Sequence, residues 1–361
     1  MAGAVVVRTM TTAMLVVGLV VGLVVGCDKK EQGGPSGPSA PSVAASSSAS
    51  SPSSQTKPSS PPPPLPTPAA ALDTACAAYA RAWCEGLEKC SHFMATISDG
   101  ELGRCKERGK LGCLYDRALA ESGTTPALLD KCTKQASTMS CAEMLKGTRT
   151  GDCALPPGKL ATGAPCTTDS QCQTTECARA TLGDACGTCV APPREGEACP
   201  TYRCAPGLIC VSGACRRLAA VGEACSGLGG CEGFLSCVDG KCAAPASKLG
   251  DKCSVDGVGV ADCDWGQGLF CDVASKTCKA AIVGKLGESC QGGAGEMRVC
   301  SGELACVSTK EVGADGGVSR KRTCVAKLVE GEACGAGRAP CAFPARCLGG
   351  VCAVSNVVTC R

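Results

Sequence analysis

Thirty-five of the 361 residues are cysteine, and past the middle of the chain they fall into groups of four. Cys225, Cys231, Cys237 and Cys242 lie within about twenty residues, opened by Gly222-Glu223-Ala224-Cys225 and closed around the pair Asp239-Gly240. Similar openings stand at Gly163-Ala164-Pro165-Cys166, Gly196-Glu197-Ala198-Cys199, Gly250-Asp251-Lys252-Cys253, Gly287-Glu288-Ser289-Cys290 and Gly331-Glu332-Ala333-Cys334. A recurrence every 25–45 residues or so, with insertions, is the mark of a linear array in which each unit mainly contacts its neighbours.

Cysteine near a tenth of the chain predicts a covalently stapled scaffold when the chain is exported. The alternative, a large apolar core, is poorly supplied. Only nine residues are aromatic (Phe 4, Tyr 3, Trp 2). Within a unit, two or three buried side chains at about 1.5–3 kcal/mol each cannot offset roughly 1–2 kcal/mol of backbone entropy per residue. Two short-loop bridges add about 2–4 kcal/mol each, and units this small need them.

The last two cysteines of a regular unit flank a turn pair, Ser212-Gly213, Asp239-Gly240 or Gly349-Gly350. Asp-Gly between extended residues is a two-residue hairpin signal. Each unit therefore reads as a β-hairpin plus loop, pinned first to third and second to fourth cysteine. This gives Cys199–Cys210 and Cys204–Cys215, Cys225–Cys237 and Cys231–Cys242, and Cys334–Cys347 and Cys341–Cys352. The fifth unit carries an insertion, Val307 to Thr323, which reads as a longer hairpin with a basic arm at Arg320-Lys321-Arg322. The first unit has an extra cysteine in Cys186-Gly187-Thr188-Cys189, and another, Cys360, follows the last unit. Their pairing stays open.

Upstream, a nearly unbroken apolar run from Ala13 to Val25 leads into Gly26-Cys27-Asp28. The run falls short of the roughly 20 apolar residues of a membrane span and suits a signal-peptide core. Val24-Val25-Gly26-Cys27 resembles a bacterial lipobox, and that resemblance implies that residues 1–26 are a lipoprotein signal peptide and that Cys27 is lipidated and anchored in a lipid bilayer. Removing Cys27 from 35 cysteines leaves 34, an even number. Residues 27–71 are a Ser/Pro-rich tether, disordered because they cannot bury enough apolar surface. About 40 such residues span on the order of 35 Å as a flexible coil.

Residues 72–157 switch to helical periodicity. Cys76, Tyr79, Ala80, Trp83, Leu87 and Cys90 share one helix face, with Trp83 in the core. Ser98-Asp99-Gly100-Glu101 reads as a capping box opening a second helix, Thr125-Pro126 as an N-cap with proline at the first helical position, and Ser140 with Glu143 as another box. An antiparallel pair of the first two helices suggests Cys90–Cys105 and Cys84–Cys113, leaving Cys76–Cys132 and Cys141–Cys153.

The expected fold class is thus small and disulfide-rich: an α-helical, disulfide-stapled N-terminal domain followed by a linear array of about six short β-hairpin four-cysteine repeats over residues 158–361. The lipobox, tether, helical cysteine-rich domain and Gly-Glu-Ala-Cys repeats together resemble a family of secreted cysteine-rich lipoproteins of myxobacteria. The repeats of that family are described as similar to the Dickkopf N-terminal cysteine-rich region. The resemblance implies architecture and carries no ligand over.

Several function classes are weighed on the residues. A net charge of +3 with both signs interspersed argues against nucleic acid as a partner. Conventional catalysis lacks its parts: the one histidine, His92, reads as a helix-end residue, and neither a phosphate loop nor a Ser/His/Asp arrangement can be placed. No cofactor is called for. Structural zinc sites favour two Cys-x2–4-Cys pairs, and this chain has one Cys-x2-Cys, Cys186/Cys189, with most spacings at four to nine. A thiol redox role for Cys186 and Cys189 wants a helix N-terminus on a βαβ scaffold. Protease inhibition by a stapled loop has candidate bait residues in Arg203 and Arg216. The reading carried forward is an exported, membrane-anchored lipoprotein of the bacterial cell envelope, at the outer membrane or cell surface, or at the inner membrane facing the periplasm. It would act as a binding or structural module for an unknown protein or glycan ligand, recognised by the variable loops Ser226–Gly230, Ser254–Ala261 and Val307–Thr323.

Overall fold

The computed structural model describes residues 70–361 except 147–149, 181–183, 200–202, 206, 212, 226–229, 313–317, 355–359 and 361. The leader, Cys27 and the tether up to residue 69 lie outside the described residues. The protein is small-disulfide in character, with a helical N-terminal part and many short two-stranded hairpins.

Five helices form the N-terminal part: α1 (Ala70–Cys90), α2 (His92–Asp99), α3 (Leu102–Arg117), α4 (Pro126–Thr138) and α5 (Cys141–Lys146). α1 buries Cys76, Tyr79, Ala80, Cys84 and Leu87 against α3 and α4. The Thr125 hydroxyl accepts from the Leu128 N–H with Pro126 at the first helical position, and Ser140 and Glu143 exchange hydrogen bonds at the start of α5. The box expected at Ser98 does not form. Ser91, extended and accepting from Met94 N–H at 2.9 Å, starts the extra helix α2, so Ser98 and Asp99 end that helix instead of opening the next.

The same insertion corrects the bridges. The pairs are Cys76–Cys113, Cys84–Cys105, Cys90–Cys141 and Cys132–Cys153, in place of Cys90–Cys105, Cys84–Cys113, Cys76–Cys132 and Cys141–Cys153. With α2 filling the corner, α3 lies in a register that sets Cys105 opposite Cys84 and, just over two turns along both helices, Cys113 opposite Cys76. Cys90 then overhangs the start of α3 and meets α5.

Downstream, six modules carry two crossed bridges each: Cys166–Cys177 with Cys172–Cys189, Cys199–Cys210 with Cys204–Cys215, Cys225–Cys237 with Cys231–Cys242, Cys253–Cys271 with Cys263–Cys278, Cys290–Cys306 with Cys300–Cys324 and Cys334–Cys347 with Cys341–Cys352. In modules two to six the third and fourth cysteines stand directly opposite one another in an antiparallel hairpin. Both sulfurs thus leave the same face, one toward the first cysteine and one toward the second. Asp239 and Gly240 both have positive φ (47° and 80°), as a two-residue hairpin turn of this twist requires.

The Gly-Glu-Ala-Cys opening has a complete structural account. In the third module Glu223 N–H donates to Ala220 O at 3.0 Å, closing a four-residue turn. Gly222 is its third residue at φ +82°, where a side chain is strained. The Glu223 carboxylate folds back to accept from Ala220 N–H at 2.8 Å. Gly222 N–H and Glu223 O then bracket the fourth cysteine, Cys242, at 2.7 and 2.9 Å, and Cys225 N–H reaches the hairpin turn at Gly240 O. Glu197, Asp251, Glu288 and Glu332 make the same carboxylate contact. Gly222→Ala is therefore expected to cost about 1–2 kcal/mol by backbone strain alone, because open space surrounds the position where its Cβ would sit. Glu223→Ala should cost about 1 kcal/mol. Denaturant titration of the oxidised protein measures both.

The linear arrangement gives way to a closed one. Five of the six modules grip the helices. In the first, Ser170 and Thr168 donate to Asp116 O near the end of α3. In the third, Glu232 pairs with Lys146 of α5 at 2.8 Å, and Phe234 joins Leu87, Met94 and Leu145. In the fourth, Trp265 meets Phe93 of α2 edge-on at 5.1 Å. In the fifth, Gly302 N–H donates to Thr96 O at 2.8 Å. In the sixth, Arg108 of α3 donates to Phe343 O and Ala342 O and forks onto Glu330. Gly112 of α3 has no side chain because one would meet the Phe343 ring 2.5 Å away. A seventeenth bridge, Cys186–Cys360, then ties the segment after the sixth module back to the first, across a sequence separation of 174. The modules form a girdle around a helical hub. The cause is the shortage of apolar residues within each module: Phe234, Trp265 and Phe343, two or three residues past each second cysteine, find burial only on the hub.

Candidate functional site

The cysteines are all engaged among the described residues. Cys189 bonds Cys172 and Cys186 bonds Cys360, so the two sulfurs of Cys186-Gly187-Thr188-Cys189 belong to separate bridges and form no dithiol with each other. Sulfurs do gather in threes within 4.8 Å, as at Cys253, Cys263 and Cys278, because crossed bridges bring them together. Each is held in a covalent S–S bond and offers no thiolate.

Other residues singled out by type are also occupied. His92 opens α2 with an exposed side chain beside Glu88, Nδ1 to Oε1 2.5 Å. Trp83 packs partly buried against the α1–α4 core, 6.4 Å from the Tyr79 ring. Arg203 is clamped between Asp169 (3.3 Å) and Glu176 (2.7 Å) of the first module. Burial opposes its charge, and the two carboxylates outweigh that, raising its pKa. Burial and the like charge of Asp169 push the Glu176 carboxyl up against the pull of Arg203. Arg203 is a strut between modules. Arg216 is exposed, but it sits within a paired strand opposite Ile209 and not on a free loop.

Of the variable loops, 226–229 lie outside the described residues. The Ser254–Ala261 loop closes on itself through Ser254 N–H to Ala261 O at 3.2 Å and clasps the hairpin turn of the third module, Asp239 N–H to Gly257 O and Gly259 N–H to Asp239 Oδ1, both 3.0 Å. Its Val258 is left about two-thirds exposed. Three consecutive modules also raise an exposed aliphatic residue at the turn before the signature glycine, Val221, Leu249 and Leu286.

The insertion in the fifth module forms the longest hairpin, Leu304–Val312 with Val318–Ala326. Its register places Ser308 opposite Arg322 and Lys310 opposite Arg320. Lys310, Arg320 and Arg322 therefore share the strand face of Cys306 and Cys324. Among the described residues no carboxylate pairs with these three cations. Lys310 and Arg320 stand directly opposite one another, and like charges so placed destabilise a hairpin.

At the seam of this module with the hub, a cleft of about 300 Å³ is lined by Arg104, Glu303, Lys327 and Leu328. Beside it Asp99 has its pKa raised to about 6 by burial, with Lys327 only partly countering. Burial lowers the Lys327 ammonium, and Arg104 adds to that. A carboxyl raised in the folded state binds its proton more tightly there, so its contribution to stability falls as pH rises from about 4 to about 6. Asp99→Asn should flatten the dependence of Tm on pH between 4 and 7 and raise Tm at pH 7, as read by calorimetry.

No helix among the described residues is long and apolar enough to cross a membrane. No protein-family model, no curated protein and no solved structure matches the chain.

Proposed function

We propose that the protein is an exported, lipid-anchored cell-envelope module that binds or organises a ligand outside the cytoplasm. Its six modules are read as copies of one repeat on a domain that the Ser/Pro-rich tether following Cys27 holds off the membrane. One observation carries the reading: every cysteine among the described residues lies in a bridge, a state that an oxidising compartment favours, and the recurrent signature residues are all used in holding shape. Recognition then falls to what differs between modules, above all the Lys310/Arg320/Arg322 face and the exposed aliphatic turns. Protease inhibition is less well supported, because Arg203 is half-buried and engaged in an inter-module ion pair.

The test is twofold. Metabolic labelling with a fatty-acid analogue should tag the wild-type protein and not Cys27→Ala, and protease treatment of intact cells or spheroplasts should reach the girdle. An untagged protein that stays in the cytoplasm with free thiols would overturn the reading.

A further inference from the structure

Where the girdle closes, four chain segments converge. Arg179 follows the strand Cys177–Ala178 of the first module, and its Nη2 donates to Thr167 O. Thr167 Oγ1 lies 3.2 Å from Cys360 Sγ, and the Cys186–Cys360 bridge joins that point to the segment of Asp184 and Ala185. Arg346, from the first strand of the sixth module's hairpin, reaches Asp184 O with Nη1 at 3.5 Å.

Two guanidinium groups from opposite ends of the girdle thus meet at one seam. Among the described residues neither pairs with a carboxylate. The nearby Asp169 is already engaged by Arg203 and by the Cys177 N–H at 2.8 Å. The Arg179 Nε is buried and has no hydrogen-bond partner. A buried guanidinium N–H left unmade is costly, and here burial and the neighbouring Arg346 charge act against the charged form and outweigh the opposing pull of Tyr115 and Asp169. An arginine fork offers parallel donors whose spacing matches two oxygens of a tetrahedral or planar oxyanion. An anion between the two would supply the missing acceptor and cancel the repulsion.

We infer that the Arg179–Arg346 seam is a binding site for an oxyanion, phosphate or sulfate, either free or carried as an ester on a larger molecule. Bound there, the anion joins the first module to the sixth alongside the Cys186–Cys360 bridge. It is a second, reversible fastening of the same closure, and it stands apart from the exposed basic hairpin.

The test uses the oxidised full girdle with its hub and titrates inorganic phosphate and sulfate against chloride at matched ionic strength. The expected result is a saturable rise in Tm of about 2–4 °C at ten times Kd, lost in Arg346→Gln and in Arg179→Gln. Arg346→Gln is the cleaner variant, since that side chain is only half-buried, and disulfide mapping verifies that each variant folds. Because both anions also stabilise proteins by exclusion, a rise of equal size in wild type and Arg346→Gln overturns the site, as does no rise over chloride with phosphate, sulfate and a sulfated polysaccharide alike. A rise seen only with a sulfated polysaccharide, and lost in Arg346→Gln, supports the site with the anion borne on a polymer.

Discussion

Replacing Cys186 and Cys360 together with serine is expected to lower stability by about 2–4 kcal/mol, a fall in Tm on the order of 5–10 °C. An unbridged loop of 174 residues would contribute about 5 kcal/mol on chain entropy alone. The bridges inside the modules already shorten the free path, so the effect is smaller. The double variant is the right one, since either single change leaves a thiol able to attack neighbouring disulfides. Calorimetry of the oxidised protein gives the shift. Limited proteolysis gives its location, with early cuts after the sixth module and none in the hub. A Tm within 1 °C of wild type would mean that the bridge is decorative and that hub contacts alone close the girdle.

The second large effect belongs to Arg108. Its guanidinium is about nine-tenths buried and donates to two carbonyls and a bidentate carboxylate: Nη2 to Ala342 O at 2.7 Å and to Glu330 Oε1 at 2.8 Å, Nη1 to Glu330 Oε2 at 3.2 Å, and Nε to Phe343 O. Arg108→Ala strands these acceptors and should cost about 2–4 kcal/mol, below the full figure for a buried pair because Glu330 is partly solvated. Arg108→Lys should recover only a fraction, lacking the fork. Burial acts to raise the Glu330 carboxyl, and the hydrogen bonds and charge of Arg108 outweigh it, holding its pKa below the ordinary range. A depressed carboxyl contributes stability that is fully present above its unfolded pKa and is lost as pH falls through its folded one. Acid should therefore loosen the sixth module, and hydrogen exchange should report it first in Arg346–Leu348 and Val351–Ala353. An Arg108→Ala variant as stable as wild type, with unchanged exchange there, would show that the apolar contact of Phe343 holds the module unaided.

Much of the local architecture was legible because it is encoded locally. Asp239-Gly240 between extended residues specifies a turn by its own φ preferences, and the helix starts at Thr125 and Ser140 are set by side chains within three residues. The helical bridges were illegible for the opposite reason. Their pairing depends on the register of α1 against α3, and that register is set by α2, whose start rests on the single hydroxyl of Ser91. The closure was illegible too. Cys186 and Cys360 are 174 residues apart, and nothing near either one names its partner. The hub-facing positions had a weak signal that could have been read: in a chain with nine aromatic residues, Phe234, Trp265 and Phe343 all follow a second cysteine by two or three places. Arg203 misled by type. An arginine between cysteines looks like bait, and only the fold reveals Asp169 and Glu176 beside it.

A girdle fastened at both ends has a fixed circumference. Loops within a module can lengthen between their bridges, as Leu304–Ala326 does. Losing or gaining a whole module cannot be absorbed in the same way. A change in module number would have to preserve both the Cys186–Cys360 bridge and the seat of Phe343 at Gly112. Hairpin length and loop chemistry are thus easier to vary in this architecture than the number of modules.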